Sequence, residues 1–280
     1  MRRWLLAAVL AGVAHGAQAA DLPDLSDLPV LRGTFTDGLS ASTVNWQGFY
    51  VGGQAGVGTS NMDFTGSTQP VAARLMSGLE MESEQQVSSW PVLGKTSKSG
   101  TGFGGFAGYN AQWDDVVLSL EGSYMHGAFG GSQTNSIERF FTLASGYTDN
   151  VTYKATSTFN VTDMGSIRGR AGYAVGNFLP YMFGGVSLGL ADVQQTATIF
   201  GTQVNAAAAP GFTNVPFYLS QSNGQSGRVV YGYAAGLGVD MMLFGNLFGR
   251  VEWEYLRFIG NGGTINTSIN TARVGLGYKF

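Results

Sequence analysis

From Gln47 to Phe280 the chain keeps returning to a two-residue alternation, with large apolar side chains on one face and glycine, small or charged residues on the other. Successive side chains of a strand point to opposite faces, so this period specifies β-structure. Eight segments of about 11 to 14 residues carry it, close to what a tilted membrane strand needs. In the first, Phe49, Val51, Ala55 and Val57 oppose Tyr50, Gly52, Gln54, Gly56 and Gly58. In the second, Phe103, Ala107, Tyr109, Ala111 and Trp113 oppose Gly102, Gly104, Gly108, Asn110 and Gln112, with Phe106 falling on the polar side. The third sets Val116, Leu118, Leu120 and Tyr124 against Ser119, Glu121 and Ser123, and the fourth Ile167, Ala171 and Tyr173 against Ser166, Arg168, Arg170 and Gly172. The fifth, Phe178 to Gly189, is apolar on both faces and does not declare its register. The sixth sets Tyr231, Tyr233, Leu237 and Val239 against Gly232, Gly236, Gly238 and Asp240. The seventh sets Leu247, Val251, Trp253 and Tyr255 against Arg250, Glu252 and Glu254; the last sets Val274, Leu276, Tyr278 and Phe280 against Arg273, Gly275, Gly277 and Lys279.

The face that carries the charge decides the environment. A soluble barrel turns its apolar face inward, yet here that face is opposed by glycine, too small to fill a hydrophobic core. The apolar face therefore looks outward to lipid. Only 12% of residues are charged and 43 of 280 are glycine, against roughly 25% and ~7% in ordinary soluble domains. A bilayer offers no water to unpaired backbone groups, so strands crossing it must close on themselves. The expected fold is all-β: an eight-stranded antiparallel up-and-down transmembrane β-barrel with long extracellular loops.

The connections alternate accordingly. Short ones are expected at Asp114-Asp115, Val175 to Asn177 and Leu243 to Asn246; long ones at Thr59 to Thr101, Gly127 to Asn160 and Leu190 to Val230, with an intermediate one at Ile259 to Asn266. Outer-membrane barrels keep short turns on the periplasmic side. Trp46, Trp113, Phe178, Phe244 and Phe280 border that side and are expected to form an interfacial aromatic girdle.

The N-terminal stretch supplies the address. Arg2 and Arg3, the apolar run Trp4 to Val13 and the small residues Ala17 to Ala20 have the layout of a secretory signal peptide. The chain divides into a signal peptide over 1-20, a periplasmic linker over 21-45 with repeated Asp-Leu-Pro-type units, and the barrel over 46-280. The formal charge of -3 argues against nucleic acid as a partner, and with no cysteine there is neither a disulfide nor a thiolate metal site. No cofactor is expected, and no metal.

Inward-facing charges are the main candidates for chemistry. Glu121, Asp240, Glu252 and Glu254 face Arg168, Arg170, Arg250, Arg273 and Lys279. Enclosed charges must be paired or hydrated, so these nine are expected to form a cross-strand network filling the lumen; a selectivity filter in a narrow ion pathway is the alternative. Gly185-Val186-Ser187-Leu188-Gly189 matches a G-x-S-x-G nucleophile elbow but sits inside a strand, without the helix such an elbow requires. Its only partner beyond the leader is His126, so an enzyme is the third reading. In the first long connection Val71, Leu75 and Leu79 have helical spacing after Pro70, followed by an acidic run Glu80, Glu82 and Glu84 expected to be a solvated helix end.

The runs Trp46-Gln47-Gly48-Phe49-Tyr50-Val51-Gly52-Gly53, Gly104-Gly105-Phe106-Ala107-Gly108-Tyr109-Asn110, Ile167-Arg168-Gly169-Arg170-Ala171-Gly172-Tyr173 and Val274-Gly275-Leu276-Gly277-Tyr278-Lys279-Phe280 resemble the alphaproteobacterial outer-membrane β-barrel proteins, the porin-like surface antigens of rhizobia and brucellae. The resemblance implies residence in the bacterial outer membrane, contact with its lipid and lipopolysaccharide, and insertion by the barrel-assembly machinery after escort by periplasmic chaperones. It also implies an assembly signal in Leu276, Tyr278 and Phe280. The expected role is a structural, surface-exposed one in the envelope and not an enzyme's, with a small diffusion porin as the alternative; a homo-oligomer stays open.

Overall fold

A computed structural model describes residues 44–205, 214–259 and 265–280. The leader and nearly all of the linker lie outside the described residues. Eight strands form a closed antiparallel ring in chain order. They are β1 (Gly48–Asp63), β2 (Lys95–Trp113), β3 (Val116–Thr142), β4 (Thr148–Tyr173), β5 (Phe178–Val204), β6 (Asn214–Phe244), β7 (Leu247–Ile259) and β8 (Asn266–Lys279). β8 closes on β1, from Tyr50 opposite Lys279 to Asp63 opposite Asn266. Among the described residues no helix is long and apolar enough to cross a membrane. The crossing is made by strands.

Register follows the alternation. Phe49, Val51, Val57, Phe103, Leu118, Leu120, Leu237, Val251, Val274 and Leu276 are exposed on the outer wall, while Tyr50, Gln54, Asn110, Glu121 and Asp240 are buried inside. The undeclared fifth segment resolves with Leu179, Tyr181 and Phe183 inside and Met182, Val186 and Leu188 outside. The inward glycines leave room for these side chains. A Cβ on Gly108 would lie 2.5 Å from the Tyr50 hydroxyl, and one on Gly236 2.4 Å from the Phe183 ring. Asp114, at φ +52°, supplies the left-handed residue of its two-residue turn.

The strands are longer than the alternation shows. β3 to β6 run well past the roughly 9 to 11 residues that span a bilayer, and two of the connections read as loops are mostly strand. β3 pairs with β4 up to Thr142 opposite Thr148, and β5 with β6 up to Val204 opposite Asn214. At a rise of ~3.4 Å per residue and a tilt near 40°, β6 above Tyr231 projects on the order of 40 Å. Polarity inverts in this upper wall. Phe129, Val151, Tyr153, Ala155, Phe159 and Ile199 turn inward and are buried, while Thr134 and Thr156, Thr196 and Ser222, and Thr198 and Ser220 are bonded hydroxyl to hydroxyl across neighbouring strands. Apolar-in and hydroxyl-out is the pattern of a sheet in water, so the inversion marks where the wall leaves the lipid. Register shifts lie at that level, between His126 and Phe129, Val161 and Asp163, and Ala191 and Val193. In β4 the shift leaves Met164 and Val161 both buried inside, which breaks strict alternation.

The connection after β1 folds back into the upper barrel. It forms α1 (Gln69–Leu75), with Pro70 in its first turn, then α2 (Glu80–Gln85) and a 3-10 turn, Val87–Ser89. Val71, Ala72, Met76 and Met81 pack with Phe64, Phe129, Tyr153, Phe159, Phe258 and Ile269 into one core. Thr68 and Tyr153 share a buried hydroxyl hydrogen bond at 2.8 Å. The acidic run is solvated at Glu80 and Glu84, as expected, and it also ties the connection down. Glu80 accepts from the Ser145 amide at 3.0 Å and Glu84 from the Ala144 amide at 3.2 Å, tying α2 to the β3–β4 turn, while Glu82 accepts from the Ser88 amide at 2.9 Å.

Candidate functional site

From the periplasmic end upward the lumen is filled by three layers. The lowest is apolar: Trp46, Tyr50, Phe106, Val117, Leu179, Met242 and Phe248 pack together. Trp46 departs from the expected girdle. Only 1% exposed, it is drawn into the barrel mouth, where Asn110 Nδ2 donates to its carbonyl at 3.0 Å, its amide donates to Gln112 Oε1 at 2.6 Å, and its ring meets Phe248 edge-on at 6.1 Å. Its chain position borders the girdle, but at Val44, whose amide donates to the Gly176 carbonyl at 3.4 Å, the chain lies across the opening, and the indole turns inward. Trp113, Phe178, Phe244 and Phe280 remain on the exposed outer wall.

The middle layer is ionic, and its pairs follow from register. Glu121 stands opposite Arg168, Asp240 opposite Arg250, and Glu252 opposite Arg273. Opposite charges on facing strand positions attract, and all eight charged side chains of this layer are buried. Glu121 is the hub. Its Oε1 accepts from Arg168 Nε (2.8 Å) and Nη2 (2.5 Å). Its Oε2 accepts from Arg170 Nη1 (2.7 Å), Arg250 Nη1 (2.8 Å) and the Tyr50 hydroxyl (2.7 Å). Asp240 takes Arg250 Nε at 2.8 Å and Arg170 Nη2 at 2.6 Å. Arg168 Nη1 reaches on to Glu252 (2.6 Å) and Glu254 (2.9 Å), Arg273 Nη2 donates to Glu254, and the Tyr181 hydroxyl donates to Glu252 at 3.0 Å.

Four arginines thus meet four carboxylates, and rings close the sides. Arg250 lies 3.9 Å from the Phe106 ring centroid, Arg170 3.7 Å from Tyr181 and Arg168 4.4 Å from Phe183. Phe106, which breaks the pattern of its strand, and the fifth segment's inward aromatics are the residues whose part sequence reasoning missed. Their signal was an aromatic on the charged face.

Lys279 does not join this layer. At the last inward position of β8, where the lumen opens, its Nζ donates instead to the Gln47 carbonyl at 3.1 Å. The end of β8 is held by backbone, with the Phe280 amide donating to the Phe49 carbonyl at 2.8 Å. Leu276, Tyr278 and Phe280 lie exposed on the outer wall, the last two rings edge to face at 5.3 Å. Ser187 is buried on the lumen side, its hydroxyl without a hydrogen-bond partner among the described residues. His126 is on the outer wall, its Nδ1 2.9 Å from Asp163. The two sit on opposite sides of the wall and cannot form a nucleophile–base pair. Among the described residues no three His, Asp or Glu side chains converge as metal ligands.

In the upper layer one carboxyl stands out. Asp149 of β4 is fully buried in the outer mouth, opposite Gln203 of β5. Burial pushes its pKa up against the opposing pull of the Gln203 side chain, and the nearby negative charge of Glu80 adds to the rise.

A family model described as outer membrane protein beta-barrel domain matches residues 5–280. The 25 kDa outer-membrane immunogenic protein of Brucella abortus biovar 1 is 27% identical over 185 residues, covering 63% of this chain and 64% of that protein; the protein of that name from Brucella melitensis biotype 1 gives the same figures. The chain therefore spans just under two thirds of the length of these relatives. Among solved structures, Ail, the attachment invasion locus protein of Yersinia pestis, aligns at 12% identity over 84% of this chain and 99% of that one, with a TM-score of 0.33. Neisserial surface protein A aligns at 12% identity over 83% and 97%, with a TM-score of 0.31.

Proposed function

Because the chain belongs to the outer membrane β-barrel family and resides in the bacterial outer membrane, we propose that it is a closed, non-conducting barrel that anchors an extracellular sheet and braces the envelope. The observation that carries this reading is the ionic layer. Every carboxylate in it is engaged by arginine, and it lies between two apolar layers. An ion entering the lumen would have to pass Trp46 and Phe248, then break several buried charge-assisted hydrogen bonds. A selectivity filter works differently, with ligands that replace an ion's hydration shell and then release it.

The same layer explains how the fold is specified. Because Glu121, Asp240 and Glu252 each face an arginine on the next strand, a slip of one residue would turn those charges into lipid. The pairs act against misregistration. In this reading Leu276, Tyr278 and Phe280, exposed beside the periplasmic end, serve as the signal for the assembly machinery, and the outer wall contacts lipid and, at its top, lipopolysaccharide. The role is structural and not enzymatic.

Liposome swelling tests the reading. Vesicles carrying the refolded chain in isotonic small sugars should swell no faster than empty vesicles, and swelling that slows with sugar size would establish a diffusion porin instead.

A further inference from the structure

Above the membrane the wall of β3 to β6 has two lateral edges. β2 pairs with β3 only as far as Gly127, and β7 pairs with β6 only from Tyr231 down. The β3 edge is guarded. The segment after α2 crosses it, Asn135 Nδ2 donating to the Val92 carbonyl and Gln133 Oε1 accepting from the Gly94 amide, each at 3.1 Å, and Glu138 and Arg139 add charge.

The β6 edge is bare. Among the described residues Asn214–Val229 pairs with β5 alone, and none of it is buried. Ser222, Asn223, Gly224 and Gln225 are exposed in succession, so both faces of the strand are open there. From Phe217 to Gln225 pairing with β5 is regular, with no charge and no proline. Natural edges are blunted by charge, proline, bulges or cover, because an unpaired row of N–H and C=O groups templates another strand. This stretch has none of the four along its length.

Its side chains describe what fits. Phe217 and Leu219 lean inward against the upper core, while Tyr218 stands outside with Phe200 at 6.3 Å between ring centroids. At the foot, Arg228 makes no ion pair among the described residues. We propose that Phe217–Gln225 is a docking edge for an extended segment of another protein outside the cell. That segment is alternately apolar, uncharged where it pairs, and acidic where it meets Arg228. A second copy fits less well. Two barrels in one membrane present β6 running the same way, which restricts them to parallel pairing, the weaker kind. The inference rests on the upper wall standing outside the membrane but not on the lumen being closed, so it and the conductance reading fail separately.

The test uses the full refolded chain in lipid nanodiscs and a fluorescent twelve-residue peptide alternating Val with Thr and ending in Glu. Saturable binding is expected, absent for a peptide interrupted by two prolines. Of Ser222→Pro and Asn223→Pro, the one whose N–H points away from β5 should keep its heat-modifiable mobility and lose about tenfold or more in affinity. Ser222→Lys, which retains every backbone donor, should also weaken binding. Arg228→Gln should cost about threefold for the Glu-ended peptide and nothing for a Gln-ended one. No saturable binding to folded protein up to about 1 mM, or binding indifferent to Ser222→Lys, overturns the proposal. Self-association of the wild type that Ser222→Lys abolishes would overturn the choice of occupant and assign the edge to a second copy.

Discussion

Glu121→Gln should destabilise the barrel by about 3–5 kcal/mol, and the figure follows from the hub it occupies. The carboxylate accepts five hydrogen bonds, two from Arg168 and one each from Arg170, Arg250 and Tyr50. Glutamine has nearly the same shape but keeps one oxygen, and its NH2 group faces donors where an acceptor stood. Whichever oxygen is replaced, two donors on buried guanidinium groups lose their partner, each worth ~1.5–3 kcal/mol before relaxation. The layer is also left with one uncompensated positive charge. Equilibrium urea unfolding in lipid vesicles, followed by tryptophan fluorescence, gives the number. Adding Arg170→Gln restores three arginines to three carboxylates, so the double variant should recover at least about 1 kcal/mol relative to additivity. A loss below ~0.5 kcal/mol with strictly additive behaviour would refute the reasoning, because it would mean that each lumen charge is separately hydrated.

Gly108→Ala should lower stability or block folding, since its Cβ would sit 2.5 Å from the Tyr50 hydroxyl and 2.6 Å from the Leu120 carbonyl, whereas Gly169→Ala, with nothing within 4 Å, should stay within ~0.5 kcal/mol of wild type in the same unfolding assay. Asp149 holds its proton more tightly folded than unfolded, so the stability it contributes is complete below the ordinary carboxylate range and is lost as pH rises through its raised value; Asp149→Asn should remove that slope and protect the β3–β4 turn at neutral pH, read by hydrogen exchange at residues 141–150. Deleting Phe280 should slow assembly in cells more than it slows refolding into detergent, followed as the appearance of the heat-modifiable band.

The transmembrane half of this fold was legible because lipid outside and a narrow lumen inside impose opposite demands on alternate residues. Phe49, Val51 and Val57 against Gly52, Gln54 and Gly56 leave one arrangement. Eight of the nine lumen charges could be grouped for the same reason, since a charge opposite Leu118 or Val274 has nowhere else to go. Lys279 failed because parity says which way a side chain points, not whether the lumen is still enclosed at that height. Trp46 failed in the same manner, its direction being set by a chain crossing the mouth. The upper wall was hidden because its polarity inverts and its parity shifts between Val161 and Asp163. Threonine and serine at alternate positions read as loop composition when the expected pattern is apolar-out.

Single-channel recording in planar bilayers is the most direct test of a closed lumen. With refolded chain beginning near Asp21, in molar salt and at voltages that do not break the membrane, wild type should give no discrete openings, while Trp46→Ala combined with Glu121→Gln should give short, irregular ones. Stable, uniform openings from the wild type would contradict the account.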